Sequence, residues 1–330
     1  MLIPKPLLSI IVPTYNRAPH LRQLLSALEE DLSSLPNVQL IVTDNDSSDD
    51  THVIISSFQL RNPEWIHIRN DTNLGPAENM CLGIERSSGN YCWVMSDDDL
   101  PRAGSIEKIV TFLTQSRLDL LYVKSEWHSS IERTSFFNYC DPHPFQLLQR
   151  LDFASAVNVW VTFISGMIVN MATFRSHKSS ESIRLLSHTR LPQLQWVLNV
   201  LMHGQDFYRV NEPWIMGTKQ TIQYDTLEVF GPTLVECVEL VCGKNSSVTR
   251  RILTPLLWQH IPILIWMNRT DPTFSAYPFK IESLGALRHL PVYSFLLRPL
   301  ATLPLPLARC LMFVPKIYSL FIHYRFRPSK

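Results

Sequence analysis

An α/β fold built on a mainly parallel, doubly wound sheet, followed by a helical, basic and apolar C-terminal extension, is predicted by three observations. Over roughly the first 125 residues, short apolar runs alternate with segments whose leucines and isoleucines recur at helical spacing, as parallel strands joined by crossover helices require. One apolar run, Tyr91-Cys92-Trp93-Val94-Met95, ends abruptly in Ser96-Asp97-Asp98-Asp99, and ligands of open α/β sheets bind at the carboxyl ends of strands. Past residue 250 the charge balance reverses. Residues 1–249 carry 19 Lys and Arg against 27 Asp and Glu, whereas residues 250–330 carry 11 against 2.

The elements follow in order. Leu8 to Val12 is a buried first strand stopped by Pro13, and Leu21, Leu24, Leu25 and Leu28 then mark one face of a helix. Val38 to Val42 is a second strand. The acids and hydroxyls of Asp44 to Thr51 suit the cap and first turn of a helix carrying Val53, Ile54, Ile55 and Phe58. Trp65 to Arg69 reads as a third strand, and Asn73-Leu74-Gly75-Pro76 as a turn with Pro76 at the first helical position. Ile106, Ile109, Val110 and Leu113 mark the helix after the acids, and Leu118 to Lys124 the next strand. Residues 127–160 read as an irregular or partly helical insertion, Phe163 to Asn170 as a strand, Leu191 to His203 as a helix closed by Gly204, and Phe207 to Val210 as a last strand.

In the tail, Pro291, Pro299, Pro304, Pro306 and Pro315 are expected to break any continuous helix. Its charge-free stretches fall short of the roughly 20 residues that a spanning helix needs. Arg298, Arg309, Lys316, Arg325 and Arg327 sit among Leu, Phe, Tyr and Ile, as in a segment lying on an anionic membrane surface, with helical packing on the body as the other reading.

A chain of 330 residues with 45% hydrophobic and 18% charged residues buries a sizeable core and is not disordered. Its six cysteines include no C-x-x-C pair, so they read as core thiols in a reducing compartment. No signal peptide is visible at the N-terminus, and the expected location is the cytoplasm.

The chemistry lies in the acid cluster. Three adjacent carboxylates at the end of a buried strand repel one another and call for a cation, and oxygen-only ligands favour Mg²⁺ or Mn²⁺. In a doubly wound fold the loops after the first, second and acidic strands emerge at one edge, so Pro13, Thr14, Tyr15, Asn16 and Arg17, then Asp44, then Ser96 and Asp97–Asp99 would line one pocket. Tyr15 can stack on a base or ribose, Asp44 can accept hydrogen bonds from either, and the later acids can hold a cation bridging two phosphates. No G-x-x-x-x-G-K-[ST] or G-x-G-x-x-G motif occurs, and Asp44-x-Asp46-x-Ser48 lacks the sixth-position Gly and twelfth-position Glu of a calcium loop. The tail lacks any nucleic-acid fold signature, so no nucleic acid partner is expected.

These residues resemble a family 2 glycosyltransferase of the GT-A fold. The resemblance rests on Ser9 to Arg17, Ile41 to Asp49, Asn73-Leu74-Gly75, and Gly89-Asn90-Tyr91 leading into Asp98-Asp99. It covers residues 7–125 well and 160–215 loosely. Such enzymes move a sugar from a nucleoside diphosphate sugar and usually invert its anomeric centre. The resemblance implies that Pro13 to Arg17 and Asp44 contact the nucleoside, that Asn73 and Gly75 lie near it, that Ser96 and Asp97 belong to the donor site, and that Asp98, with Asp99, holds the metal. It also implies a catalytic domain over 1–215, divided into a nucleotide-sugar half (1–125) and an acceptor half (126–215), with the helical extension over 216–330.

Two departures stand out: Ser96 aligns with the first Asp of the family's Asp-x-Asp, and Asp46 stands where a small residue is commoner. The Asp-Asp-Asp form and the apolar tail are most similar to the abequosyltransferase-like branch of bacterial O-antigen synthesis. That branch implies transfer of a sugar such as abequose to a lipid-linked glycan by a protein held on the inner face of the cytoplasmic membrane through residues 290–330.

As the glycosidic bond breaks, charge grows on the diphosphate and a base must take the acceptor's proton. Counting back from Gly204 to the family's usual Glu-Asp pair lands on Pro192 and Gln193, neither of which is a base. The nearest substitutes are His188, then Glu181 and Asp206. A nucleotidyltransferase acting on sugar phosphates would use a similar pocket, and a non-catalytic, membrane-associated sugar-binding protein would need no base.

Overall fold

The computed structural model describes residues 5–128, 141–177, 183–218, 222–274, 276–277 and 279–318. Glu181, Arg325 and Arg327 lie outside the described residues. The chain divides into two compact units. One comprises Met1–Arg150 with Val161–Lys219, and the other Leu151–Trp160 with Gln220–Lys330.

In the first unit the expected alternation forms. Strands β1 (Leu8–Thr14), β2 (Val38–Asp44) and β3 (Ile66–Arg69) are joined by helices α1 (Ala18–Leu32) and α2 (Thr51–Arg61), and α3 (Pro76–Arg86) leads into β4 (Tyr91–Val94). β1 pairs in parallel with β2 and β4, and β2 with β3. Leu8, Ile10, Ile11 and Val12 are fully buried, and so is Ser9, whose hydroxyl donates to Gln39 Oε1, which explains why β1 reads as a mostly apolar run instead of an alternating one. Leu21, Leu24, Leu25 and Leu28 are likewise fully buried along one face of α1. Gly75, with φ of 85°, lies before Pro76 at the start of α3, a backbone position that favours glycine.

The remaining elements up to residue 218, all of the first unit except α5, are β5 (Leu100–Pro101), α4 (Ser105–Gln115), β6 (Leu120–His128), β7 (Phe145–Leu148), α5 (Arg150–Val157), β8 (Met167–Asn170), α6 (Met171–His177), α7 (Leu194–His203) and β9 (Phe207–Thr218). Among the described residues they complete a nine-stranded sheet of order β3-β2-β1-β4-β8-β6-β9-β5, with β7 on β9. The sheet is mixed. β8 runs antiparallel to β4 on one side and to β6 on the other, whereas β6 and β9 are parallel. β4, β6 and β9 therefore share a direction, and their carboxyl ends share an edge with those of β1 and β2. β6 and β9 are both longer than the apolar runs predict, because their outer halves pair with one another through Glu126, Trp127 and His128. Phe163 to Asn170 is only partly strand, since Ile164–Gly166 forms a tight 3₁₀ turn before β8.

The second unit is helical. Helical structure stops just before Pro291 and just before Pro315, as expected, whereas Pro299 lies inside a continuing helix. Wide π turns at Leu256–His260 and Tyr293–Leu297 lie within two residues of Pro255 and Pro262, and of Pro299, while at Val229–Thr233 the non-helical backbone of Gly231 kinks the chain just before Pro232. A widened turn accommodates the ring and the missing N–H without ending the helix. A break does occur at Leu303–Pro304, before the helix Leu305–Leu311. No helix among the described residues is long and apolar enough to cross a membrane.

Candidate functional site

The loops after β1 and β2 are stitched together. Asn16 takes φ of 52° and Asp46 φ of 64°, a region that Asn and Asp enter more readily than most residues. Asn16 donates its N–H to Ser47 Oγ (2.9 Å) and accepts at Oδ1 from the Ser48 N–H (2.8 Å). Asp49 accepts from the N–H groups of both Ala18 (3.1 Å) and Thr51 (3.0 Å), so one carboxyl serves the first turns of α1 and α2.

Asp44 closes β2 and is fully buried. Its Oδ1 accepts from the Ser47 N–H at 3.0 Å. Its Oδ2 is buried without a hydrogen-bond partner, 3.9 Å from Nε of the partly exposed Arg69. A buried acceptor left unpaired is costly and suits a site that a ligand completes.

Beside Asp44, a network of amides supports the third loop. Asn45 Oδ1 accepts from Asn70 Nδ2 (2.9 Å) and from the Leu74 N–H (2.9 Å), and Asn45 Nδ2 donates to Asn73 Oδ1 (2.8 Å), which also accepts from the Gly75 N–H (2.8 Å). Asn79 bridges Asn70 to the Thr43 carbonyl. Sequence reasoning gave no role to Asn45, Asn70 or Asn79. Their signal is weak, because a buried amide looks like any loop asparagine until its partners converge.

The acid cluster is resolved into three separate environments. Asp97 accepts from Thr14 Oγ1 at 2.7 Å and from Arg17 Nε at 3.2 Å. Asp98, one-fifth exposed, pairs with Arg17 Nη2 and accepts from Ser96 Oγ. Asp99 points elsewhere, accepting from Ser165 Oγ at 2.6 Å, while the same hydroxyl accepts the Ser96 N–H at 2.9 Å. Burial pushes Asp97 up to about 6 against the pull of Arg17 and Thr14. Burial, with the charge of Asp98 added, pushes Asp99 up to about 8 despite the Ser165 bond. The repulsion that a bare triplet implies is thus relieved within the protein, by the Arg17 guanidinium over two carboxyls and by the Ser165 hydroxyl on the third, which burial pushes towards its neutral form. Arg17 sits on the acids in this way; the sequence had set it among nucleoside contacts.

Among the described residues, no three His, Cys, Asp or Glu side chains could hold a metal ion together. This donor set does not fit a cation held by protein alone. It fits one that arrives on a diphosphate, because Mg²⁺ then needs only one or two protein carboxylates.

The structure brings together Thr14, Arg17, Ser96 and Asp97–Asp99, and beside them Asn16, Asp44, Asn73 and Gly75 on adjoining loops. Pro13 is half-buried in β1 and Tyr15 is exposed on the loop after it. His188 is exposed in a turn before α7. Asp206 precedes β9 at the edge opposite the acids, where its carbonyl accepts the Asp119 N–H. Gln193 is buried and donates to the Thr162 carbonyl at 2.6 Å.

The residues 9–175 match the model of "Glycosyl transferase family 2", which is half of the chain. The chain belongs to this family. Over 108 residues it is 32% identical to the Abequosyltransferase RfbV of Salmonella typhimurium, a stretch covering 32% of each protein. Over 106 residues it is 28% identical to the GalNAc(5)-diNAcBac-PP-undecaprenol beta-1,3-glucosyltransferase of Campylobacter jejuni, covering 32% of this chain and 34% of that one. The chain spans 32–44% of the length of the first curated relatives it matches. In fold it resembles S. aureus TarS 1-349 in complex with UDP-GlcNAc, with a TM-score of 0.61 at 17% identity over 96% of this chain and 92% of that one. The GT-A type arrangement, with a mostly parallel sheet, flanking helices and a C-terminal helical bundle, follows from that likeness.

Proposed function

We propose that this family 2 protein transfers a sugar from a nucleoside diphosphate sugar to a hydroxyl of a lipid-linked glycan in bacterial surface polysaccharide assembly, with inversion at the anomeric carbon. The observation that carries the reading is the carboxyl edge of the sheet, where a buried carboxyl oxygen on Asp44 that accepts no hydrogen bond lies two strand-end loops from the Arg17-bridged acids. Asp44 would receive the N–H of a base, Tyr15 would lie on its ring, and Thr14, Asn16, Asn73 and Gly75 would shape the nucleoside pocket. Ser96 and Asp97 would orient the donor site and its Arg17. A dideoxyhexose such as abequose is the finer proposal for the sugar, motivated by the Asp-Asp-Asp form and the RfbV likeness.

Asp98 is the carboxylate that would hold a Mg²⁺ or Mn²⁺ brought by the diphosphate, where such an ion offsets the charge of the leaving group. Asp99, turned to Ser165, would act behind it. The proton acceptor is not identified by geometry. His188, exposed at the turn before α7, is the sequence's candidate for it.

The lipid-linked acceptor is supported by the second unit. Leu305, Leu307, Phe313 and Ile317 are exposed there beside exposed Arg309 and Lys316, a pairing of apolar and basic side chains that suits the surface of an anionic leaflet. Residues 290–330 would hold the protein on the inner face of the cytoplasmic membrane, where such an acceptor resides.

The test is a thermal-shift panel of CDP, UDP, GDP and dTDP, with and without Mn²⁺, on wild type and Asp98→Asn. A ligand at about 100 times its dissociation constant adds ~2.7 kcal/mol. The expected result is a shift that needs one base, and a metal increment lost in Asp98→Asn. No shift with any nucleotide sinks the proposal and favours a non-catalytic role. Release of pyrophosphate in place of nucleoside diphosphate would mark a nucleotidyltransferase.

A further inference from the structure

Trp127 is a large aromatic side chain left 40% exposed near the carboxyl end of β6, on the sheet edge that carries Asp97–Asp99. It pairs in register with Gly217 of β9. A Cβ on Gly217 would lie 2.8 Å from the indole and 3.2 Å from Asp99 Oδ1, so the glycine lets the ring rest on the strand with the Asp99 carboxyl alongside. The Phe163 ring meets the indole edge-on at 5.5 Å between centroids. Two residues on, Ser165 donates to Asp99, so the ring and the acid belong to one assembly.

Alternation along β6 puts Glu126 and His128 on the face opposite Trp127. Glu126 pairs there with the buried Arg102, which also donates from Nε to the Pro213 carbonyl at 2.8 Å, and His128 Nε2 lies 3.1 Å from Glu126. An aromatic side chain over a cross-strand glycine also covers exposed backbone, which is a structural use. That use does not require the ring to stand beside a buried carboxyl at the strand ends where ligands bind.

We propose that Trp127 is the platform on which the transferred sugar ring of the donor stacks, its C–H face on the indole and its hydroxyls toward the Asp99–Ser165 pair. An aromatic face beside polar groups is the chemistry that recognises a pyranose, with C–H bonds on one face and hydroxyls at the rim. The inference rests on the nucleoside diphosphate sugar reading above.

Calorimetric titration of UDP-glucose, GDP-mannose, CDP-glucose and dTDP-glucose, each against its parent nucleoside diphosphate, tests it on the full chain. For the pair that binds wild type, Trp127→Ala should weaken the sugar nucleotide at least about fivefold and the parent by less than about twofold, with Trp127→Phe recovering most of the loss. Gly217→Ala, whose methyl crowds the indole, should reproduce the selective loss. Equal loss for sugar nucleotide and parent, or no gain from the sugar in wild type, overturns the platform. Absence of all nucleoside diphosphate binding in wild type overturns the donor reading, and the platform with it.

Discussion

Replacing Asp44 by Asn separates binding from stability at a single atom. Oδ1 of Asp44 already serves the Ser47 N–H at 3.0 Å, and the amide oxygen of Asn can take over that bond. Oδ2 is the buried oxygen without a partner, with Arg69 Nε 3.9 Å away. In the free protein the substitution therefore breaks no hydrogen bond and gives up only the long ion pair with the exposed Arg69, so the melting temperature should change little. In the complex it replaces the acceptor for a base N–H with an amide donor. A hydrogen bond to a charged group is worth about 1.5–3 kcal/mol, so the nucleoside diphosphate should bind about 10- to 150-fold more weakly. Calorimetric titration of the nucleotide selected by the thermal-shift panel, alongside urea unfolding of the free proteins, gives both numbers. Unchanged nucleotide affinity in a stably folded Asp44→Asn would refute the assignment of the orphan oxygen to the base. Marked destabilisation of the free variant would show instead that Asp44 serves the fold.

Three further expectations follow from the same structure. Gly75→Ala places a methyl in open space but at φ of 85° and ψ of 159°, so its cost of about 1–3 kcal/mol in urea unfolding would be backbone strain alone, and a neutral variant would contradict that conformation. His260 packs against Asn158 and Trp160, and burial pushes its imidazole down to about 4 from the usual 6.5. The unfolded chain then takes up a proton that the native state refuses, so stability is full above about pH 6.5 and falls as the pH drops towards 4. His260→Gln should flatten the melting temperature across that window, and an unaltered slope would discount the histidine. Phe313→Asp with Ile317→Asp should abolish co-sedimentation with anionic vesicles while sparing the melting temperature; undiminished sedimentation would remove the exposed apolar face from the membrane reading.

What the sequence determined by itself was local. Apolar runs marked β1, β2 and β4, helical spacing marked the buried face of α1, and Gly75 and Pro76 marked where the chain turns into α3, because each signal lies within a few residues of the structure it dictates, although β1 runs on through Pro13, expected to stop it, to Thr14. The carboxyl-edge loops were legible for the same reason, since polar residues following an apolar strand mark its end. Tertiary structure alone decided what those loops do. Arg17 reaches Asp97 across 80 residues and Ser165 reaches Asp99 across 66, and neither pairing leaves a periodic trace. The antiparallel insertion of β8 between β4 and β6 was likewise invisible, because a four-residue apolar run carries no sign of its direction. Proline in the second unit shows the limit from the other side: breaks fall before Pro291, at Pro304 and before Pro315 as local propensity predicts, but at Pro299 a widened turn just before it keeps the helix. The charge balance of the acid cluster is the sharpest case. Three adjacent carboxyls demand compensation, and only the folded chain determines that an arginine covers two of them and the Ser165 hydroxyl the third.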